Sequence, residues 1–213
     1  MRLKPGSVLA LYWADLHAYR FWGEKAAHDR GTPEPDVRGL SLALLRALVN
    51  PALRLVLALR LANASPRLLW PFWRNYFVHL HTMDWSGRVE IGPGLAIPHP
   101  FGVSMIAGTR IGKNASIGHF CTFAGDADGG TPVLGDGILL YPGVVIAGGI
   151  EIGDSTAISP NCVVREDVPA YKLVTERGVV PITKARQLWP MHPTAGADDG
   201  TEESAASNAS DAS

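Results

Sequence analysis

Residues 134–158 read LGDGILLYPGVVIAGGIEIGDSTAI, and an aliphatic residue returns at every sixth position of this stretch. The same spacing extends through the middle of the chain, at Ile91, Ile97, Val103, Ile111, Ile117, Phe123, Leu134, Leu140, Ile146, Ile152, Ile158 and Val164. A period of six fits neither an α-helix nor an alternating β-strand. It is typical of a hexapeptide β-solenoid, in which each short strand places one aliphatic side chain in a central core.

The period is interrupted twice. Ile111 follows Val103 by eight positions, and Leu134 follows Phe123 by eleven. Successive coils of a solenoid pack on each other, so extra residues must leave the wall as loops. Loops on a rigid scaffold commonly carry binding groups. We therefore expect the functional residues near these interruptions.

Composition narrows the class of protein. The chain of 213 residues is 46% hydrophobic and 18% charged, with a net charge of −1, which gives no electrostatic support for nucleic-acid binding. Cys121 and Cys162 each follow an aliphatic anchor by four residues and are predicted to fill the core as free thiols, which suits a reducing compartment. The first residues lack the apolar segment of a signal peptide, so a cytoplasmic location is predicted.

Four regions are predicted. Residues 1–82 form a helical N-terminal region that includes one helix over residues 9–30, residues 83–169 form the β-helix, residues 170–192 form a capping segment, and residues 193–213 form a disordered acidic tail.

Residues 38–80 are the most apolar part of the chain, but arginines interrupt every window of about 20 residues that a membrane span needs. Two or three amphipathic helices are expected there, packed on the solenoid or on a neighbouring subunit. A peripheral membrane contact is the alternative, made by a basic face that carries Trp70, Trp73, Arg67 and Arg74.

Two histidines and one aspartate have a spacing that suggests catalysis. His99 and His119 each lie two residues after an anchor and are twenty residues apart, which is one turn of eighteen plus two extra residues. They should project from one edge, roughly 4.8 Å apart. Asp84 precedes His99 by fifteen residues, so it should lie near the same corner, where a carboxylate can orient the imidazole and stabilise its cation. For His119, an exposed corner residue without a catalytic role is the alternative.

The segment over residues 84–103, DWSGRVEIGPGLAIPHPFGV, resembles the start of the β-helix in bacterial serine O-acetyltransferases. In that family an aspartate begins the segment, a histidine follows fifteen residues later, and a two-residue insertion comes next. The resemblance extends over about residues 50–170. It implies a left-handed parallel β-helix, a homotrimer, and acetyl-CoA as co-substrate in the groove between neighbouring subunits, with no metal.

The resemblance also implies roles for individual residues. His99 would be the general base on an acceptor hydroxyl, Asp84 would orient it, and no acyl-enzyme would form. His119 on the same edge is predicted to contact the substrate. The family's contacts to acetyl-CoA fall on Gly125 in the loop and on the positions two past an anchor, which are Pro142 and Pro160 here.

Three departures from the family bear on the acceptor. Pro98 replaces the aspartate that precedes the catalytic histidine and helps to hold the amino group of serine. The loop that carries an Arg-His pair for the serine carboxylate is three residues shorter, and the N-terminal helical region is also shorter. The reaction, acyl transfer, is therefore better supported than the identity of serine as its acceptor. The alternative acceptor is a sugar or an exopolysaccharide precursor.

The last residues, 208–213, lack the terminal isoleucine that docks into cysteine synthase in some serine acetyltransferases. No cysteine-synthase complex is expected.

Two other functions remain open from the sequence. A γ-type carbonic anhydrase uses the same solenoid with three zinc-bound histidines shared between subunits, and His79, His81, His99 and His119 are candidates, although the usual His-x4-His pair is missing. A non-catalytic scaffold is the third reading. The spacing of Asp84 and His99 counts against a scaffold, which has no need of it.

Overall fold

The computed structural model describes residues 4, 6–20 and 37–182 of the chain. The described helices are α1 (Val8–Arg20), α2 (Val37–Val49), α3 (Pro51–Ala64) and α4 (Trp70–His81), with a 3₁₀ turn at Arg67–Leu69. The helix predicted over residues 9–30 is present as far as Arg20, and its remaining residues lie outside the described ones, as does the predicted tail. None of the helices described has both the length and the apolar character that crossing a membrane requires.

Short strands follow from residue 84 onward. They are β1 (Asp84–Trp85), β2 (Glu90–Ile91), β3 (Ser104–Met105), β4 (Arg110–Ile111), β5 (Ser116–Ile117), β6 (Thr122–Ala124), β7 (Val133–Leu134), β8 (Leu139–Leu140), β9 (Val145–Ala147), β10 (Glu151–Ile152), β11 (Ala157–Ile158), β12 (Val163–Val164), β13 (Lys172–Thr175) and β14 (Gly178–Pro181).

The strands form three sheets, which the chain visits in turn. Sheet A has the order β1-β3-β6-β9-β12, sheet B the order β10-β7-β4-β2, and sheet C the order β14-β13-β11-β8-β5. Neighbouring strands are parallel except for β13 and β14, whose antiparallel hairpin forms the edge of sheet C. About five turns stack in this way. The predicted parallel β-helix preceded by a small helical region is confirmed.

The register measures the length of each coil. Asp84 pairs with Ser104, Ser104 with Thr122, and Thr122 with Val145. The coils are therefore 20, 18 and 23 residues long, and the predicted insertions are present in the first and third of these intervals.

The position predicted for the first insertion is wrong. Met105, rather than Val103, pairs with Phe123 in sheet A, so the two extra residues lie between Ile97 and Met105. Val103 stands level with Cys121, because the Val103 carbonyl accepts from Asp84 N and the Cys121 carbonyl accepts from Ser104 N. Both Val103 and Met105 are fully buried, so a count of aliphatic residues in the sequence does not distinguish them.

The anchors form the core, and both cysteines belong to it. The predicted anchors after Ile91 are all buried. Cys121 and Cys162 are buried free thiols, as predicted. Burial raises the pKa of Cys121 to about 11, so this thiol remains protonated and unreactive.

A buried ion pair joins the helices to the first coil. The guanidinium of Arg60 on α3 donates two hydrogen bonds of 2.8 Å to the carboxylate of Asp15 on α1. The same guanidinium donates to the carbonyls of Ile91 and Gly92, and Asp15 accepts from the N–H groups of Gly94 and Leu95. Each buried charge is thus fully hydrogen-bonded, which is the condition under which a buried ion pair is tolerated.

Candidate active site

The chain passes from sheet C to sheet A at four stacked corners, formed by residues 98–102, 118–120, 141–143 and 159–161. We call this edge of the prism the histidine corner. The two extra residues of the first coil lie in the lowest of these corners. The backbone of the corner is held by a ladder in which Phe120 N donates to Phe101 O, Gly143 N to His119 O, and Asn161 N to Pro142 O.

The structure brings His99 and His119 together. Their ring centroids are 5.8 Å apart and the rings are nearly perpendicular, at 84°. The two histidines share one edge, as their spacing predicts, but they are not equivalent positions. The backbone ladder sets His119 above Phe101, and His99 lies among the extra residues. His99 is exposed, whereas His119 is half-buried and its Nδ1 has no hydrogen-bond partner among the described residues.

Asp84 begins β1, which pairs with the strand that follows His99 in the chain. Its N–H donates to the carbonyl of Val103 over 3.1 Å, and its register partner Ser104 follows His99 by five residues. Both side chains are described, and neither a hydrogen bond nor an ion pair joins them. The carboxylate of Asp84 instead lies 3.7 Å from Nη2 of Arg74 on α4, and both groups are exposed. Exposed pairs of this kind contribute little free energy, so Arg74 does not hold the carboxylate in one place.

The second interruption forms a loop over residues 125–132, where the chain passes from sheet A to sheet B. Asp126 organises it. One carboxylate oxygen accepts from the N–H groups of Asp128 and Gly130, and the other accepts from Gly149 N in the next coil, over 2.8 Å. Bonds from the N–H groups of Gly149 and Gly130 hold the pKa of Asp126 below its usual value. No lysine, arginine or histidine occurs in this loop.

The predicted contacts to acetyl-CoA fall on two different edges of sheet A. Pro142 lies in the histidine corner one coil beyond His119, and Pro160 lies one coil beyond Pro142. Gly125 lies at the start of the loop, on the opposite edge of sheet A. Its backbone is closely approached, since a Cβ added there would lie 2.8 Å from the carbonyl oxygen of Gly130.

The four histidines considered for zinc do not gather within the chain. His79 is exposed on α4, and His81 is buried at the end of that helix against Tyr76. Over the described ranges, no three histidine, cysteine, aspartate or glutamate side chains are grouped so that they could hold a metal ion.

The similar proteins of known name are serine acetyltransferases. A serine acetyltransferase of Helicobacter pylori is 29% identical over 146 residues, which are 65% of this chain and 85% of the relative. Serine acetyltransferase 2 of Arabidopsis thaliana is 29% identical over 190 residues, which are 81% of this chain and 57% of the relative. No protein-family model matches the chain.

Solved structures of serine acetyltransferases are similar to this chain in fold. The serine acetyltransferase of Neisseria gonorrhoeae superposes with a TM-score of 0.61 at 25% identity, over 83% of this chain and 65% of the other. The soybean enzyme in complex with serine superposes with a TM-score of 0.57 at 28% identity, over 78% of this chain and 66% of the other. This chain is similar to serine acetyltransferases in both sequence and fold. The similarity indicates an acyltransferase enzyme. The chain spans about two thirds of the length of these two structures.

One feature of the acyltransferase's corner was not predicted. Phe120 projects beside His119, with ring centroids 5.4 Å apart, and its backbone has a φ of 57°. A comparison of the repeats could have found it, since the equivalent positions of the other coils hold Gly102, Gly143 and Asn161.

Proposed function

We propose that the enzyme transfers an acetyl group from acetyl-CoA to a hydroxyl group of an uncharged acceptor, with His99 as the general base. The observation that carries the proposal is the histidine corner itself. His99 is exposed there, it faces His119 at 5.8 Å, and Asp84 lies on the neighbouring strand in a fold shared with serine acetyltransferases.

The proposed chemistry needs one proton carrier. Neutral His99 removes the proton of the acceptor hydroxyl as its oxygen attacks the thioester carbonyl, because a hydroxyl is a poor nucleophile without a base. The tetrahedral intermediate collapses, the C–S bond breaks, and the imidazolium returns its proton to the CoA sulfur. Asp84 fixes the tautomer of the neutral imidazole and stabilises the imidazolium that forms from it. Catalytic hydrogen bonds often shorten only when substrate binds, so an Asp84 that is not yet bonded to His99 fits this role.

The binding site for acetyl-CoA is proposed to lie between two subunits of a homotrimer. Gly125 and the pair Pro142 and Pro160 lie on opposite edges of sheet A, so one ligand reaches both sets most readily if two subunits contribute one edge each. Proline has no N–H, so at these two positions the carbonyl and ring carbons are the groups available for contact.

The charges near the corner support an uncharged acceptor. Pro98 precedes His99 and offers no carboxylate for an amino group. The loop over residues 125–132 offers no cation for a carboxylate, and the oxygens of Asp126 are engaged by backbone N–H groups. A zwitterion such as serine would lose water here without gaining partners, which is costly. Sugars present many hydroxyls and no charge, so they are the acceptor class that we favour.

The decisive experiment measures CoA thiol release with L-serine, homoserine and a panel of sugars and nucleotide sugars. We expect His99→Ala to lower turnover by about 100- to 10,000-fold, the usual loss when a general base is removed. Because His99 is exposed, the melting temperature should be unchanged. His79→Ala removes another exposed histidine and is the matched control.

Asp84→Asn belongs to the same experiment. It should lower turnover without changing the affinity for acetyl-CoA, because an amide can contact the imidazole but cannot compensate the charge of its cation. A His99→Ala enzyme that keeps more than a tenth of wild-type turnover would contradict the assignment of the base. A fully active Asp84→Asn enzyme would leave Asp84 as a structural residue of the first strand.

A further inference from the structure

Phe120 occupies a strained position that burial does not explain. Its φ of 57° lies in the left-handed region, as do those of Gly102, Gly143 and Asn161 at the equivalent places of the other coils. Glycine and asparagine adopt this conformation readily, whereas a bulky side chain is strained by it. The side chain of Phe120 is nevertheless 60% exposed. An exposed outlier beside reactive groups is a reason to look for a functional role.

The surroundings of the ring place it within the proposed active site. Phe120 contacts His119 edge-to-face at 5.4 Å, and His119 contacts His99 at 5.8 Å. The ring also lies against Gly102, where any side chain would collide with it. Phe101, in the coil below, is exposed as well. An aromatic surface open to solvent therefore borders the residue that we assign as the base.

We propose that Phe120 is a stacking platform for a sugar ring, and that the acceptor is a carbohydrate that presents one hydroxyl to His99. This inference rests on the proposed function and narrows its substrate class. One face of a pyranose consists of C–H groups, which gain dispersion and weak C–H contacts on an aromatic ring while the hydroxyls remain hydrated or hydrogen-bonded. L-serine has no such face, so the ring offers it no comparable stacking contact.

The test compares acceptors and variants in the full-length enzyme. The acceptors are the methyl glycosides of glucose, galactose and N-acetylglucosamine, with glycerol and L-serine as acceptors that lack a ring. Phe120→Asn removes the aromatic ring and installs the residue that the fourth corner carries as Asn161. Phe120→Leu is a second variant that keeps apolar volume, and Phe120→Tyr keeps the ring.

Tyr171→Asn is the matched control. Tyr171 is also an aromatic residue in the left-handed region, with a φ of 59° and 54% exposure. Its N–H donates to Asp154 O, at a corner between sheets B and C. The two asparagine variants therefore change backbone strain and exposed surface alike, and only one of them touches the histidine corner.

We expect transfer to a glycoside, and a rise of about tenfold in KM for it in Phe120→Asn and Phe120→Leu, which corresponds to about 1.4 kcal/mol. The kcat should change much less, because the platform binds the acceptor and leaves the proton transfer to His99. Phe120→Tyr should keep the wild-type KM, and Tyr171→Asn should do the same.

Three results would overturn the inference. If L-serine or glycerol is preferred and the KM for the glycosides is unchanged in the Phe120 variants, the stacking platform is wrong. A preference for glycerol leaves the proposed uncharged acceptor standing, whereas a preference for L-serine overturns the uncharged acceptor as well. If light scattering shows that Phe120→Asn dissociates the oligomer, the ring is a subunit contact. If the wild-type enzyme releases CoA with none of the acceptors, the proposed function fails and the inference fails with it.

Discussion

The imidazole of His81, at the end of α4, is buried, and neither of its nitrogens has a hydrogen-bond partner in the described part of the chain. Burial, with a smaller contribution from the guanidinium of Arg54, lowers the pKa of His81 from 6.5 to about 4. In the folded protein this histidine is therefore neutral at pH 7, and protonating it requires a charge in an apolar environment.

This residue should make the fold sensitive to mild acid. Because the unfolded chain binds the proton more readily, the stabilisation is complete above about pH 6.5 and decreases as the pH falls toward about 4, by roughly 3 kcal/mol in all. We expect His81→Leu to remove this decrease in denaturant titrations between pH 4.5 and 7. His79→Leu, two residues earlier and exposed, should behave like wild type. Identical pH profiles for His81→Leu and wild type would show that His81 does not titrate as described.

At the scale of secondary structure, each strand of the solenoid is only two to four residues long, so its place depends on one or two buried side chains. Ile152 on β10 is 2% exposed and pairs with Leu134 of the coil below. Val163 on β12 points outward and is 54% exposed. These two positions differ in burial, although both are aliphatic residues of two-residue strands.

Substitution by aspartate should have different effects on folding at the two positions. Ile152→Asp places a carboxylate among stacked aliphatic side chains, at a cost of several kcal/mol against a total stability of roughly 5–15 kcal/mol, so we expect little soluble folded protein. Val163→Asp should fold and melt near the wild-type temperature. Circular dichroism and gel filtration of both variants provide the comparison. A soluble, cooperatively melting Ile152→Asp would mean that the inward face of β10 has been assigned incorrectly.

At the scale of the whole molecule, the helical region leaves apolar side chains uncovered. Leu45, Leu48 and Val49 of α2 are all more than half exposed, and clusters of such residues commonly mark an interface. We expect the full-length protein to be a homotrimer, so light scattering coupled to gel filtration should give about three times the chain mass of 22.8 kDa. A monomer at micromolar concentration would remove the proposed groove between subunits, and with it the proposed site for acetyl-CoA.

The six-residue period by itself determined the three sheets, the buried anchors and the loop over residues 125–132. It could do so because burial in a solenoid repeats with the local sequence. The shared edge of His99 and His119 followed from the same count, since both positions are defined relative to nearby anchors.

The tertiary structure alone decided the features that depend on neighbours distant in sequence. The choice of Met105 over Val103 was settled by pairing with the next coil. The partner of Asp15 is Arg60, 45 residues away. The side chain of Asp84 makes an ion pair with Arg74 of a helix and no hydrogen bond with His99. The position of the Phe120 ring against Gly102 and His119 is likewise visible only in the folded chain. A repeat pattern states which residues face inward, but the direction of an exposed side chain depends on what the fold brings next to it.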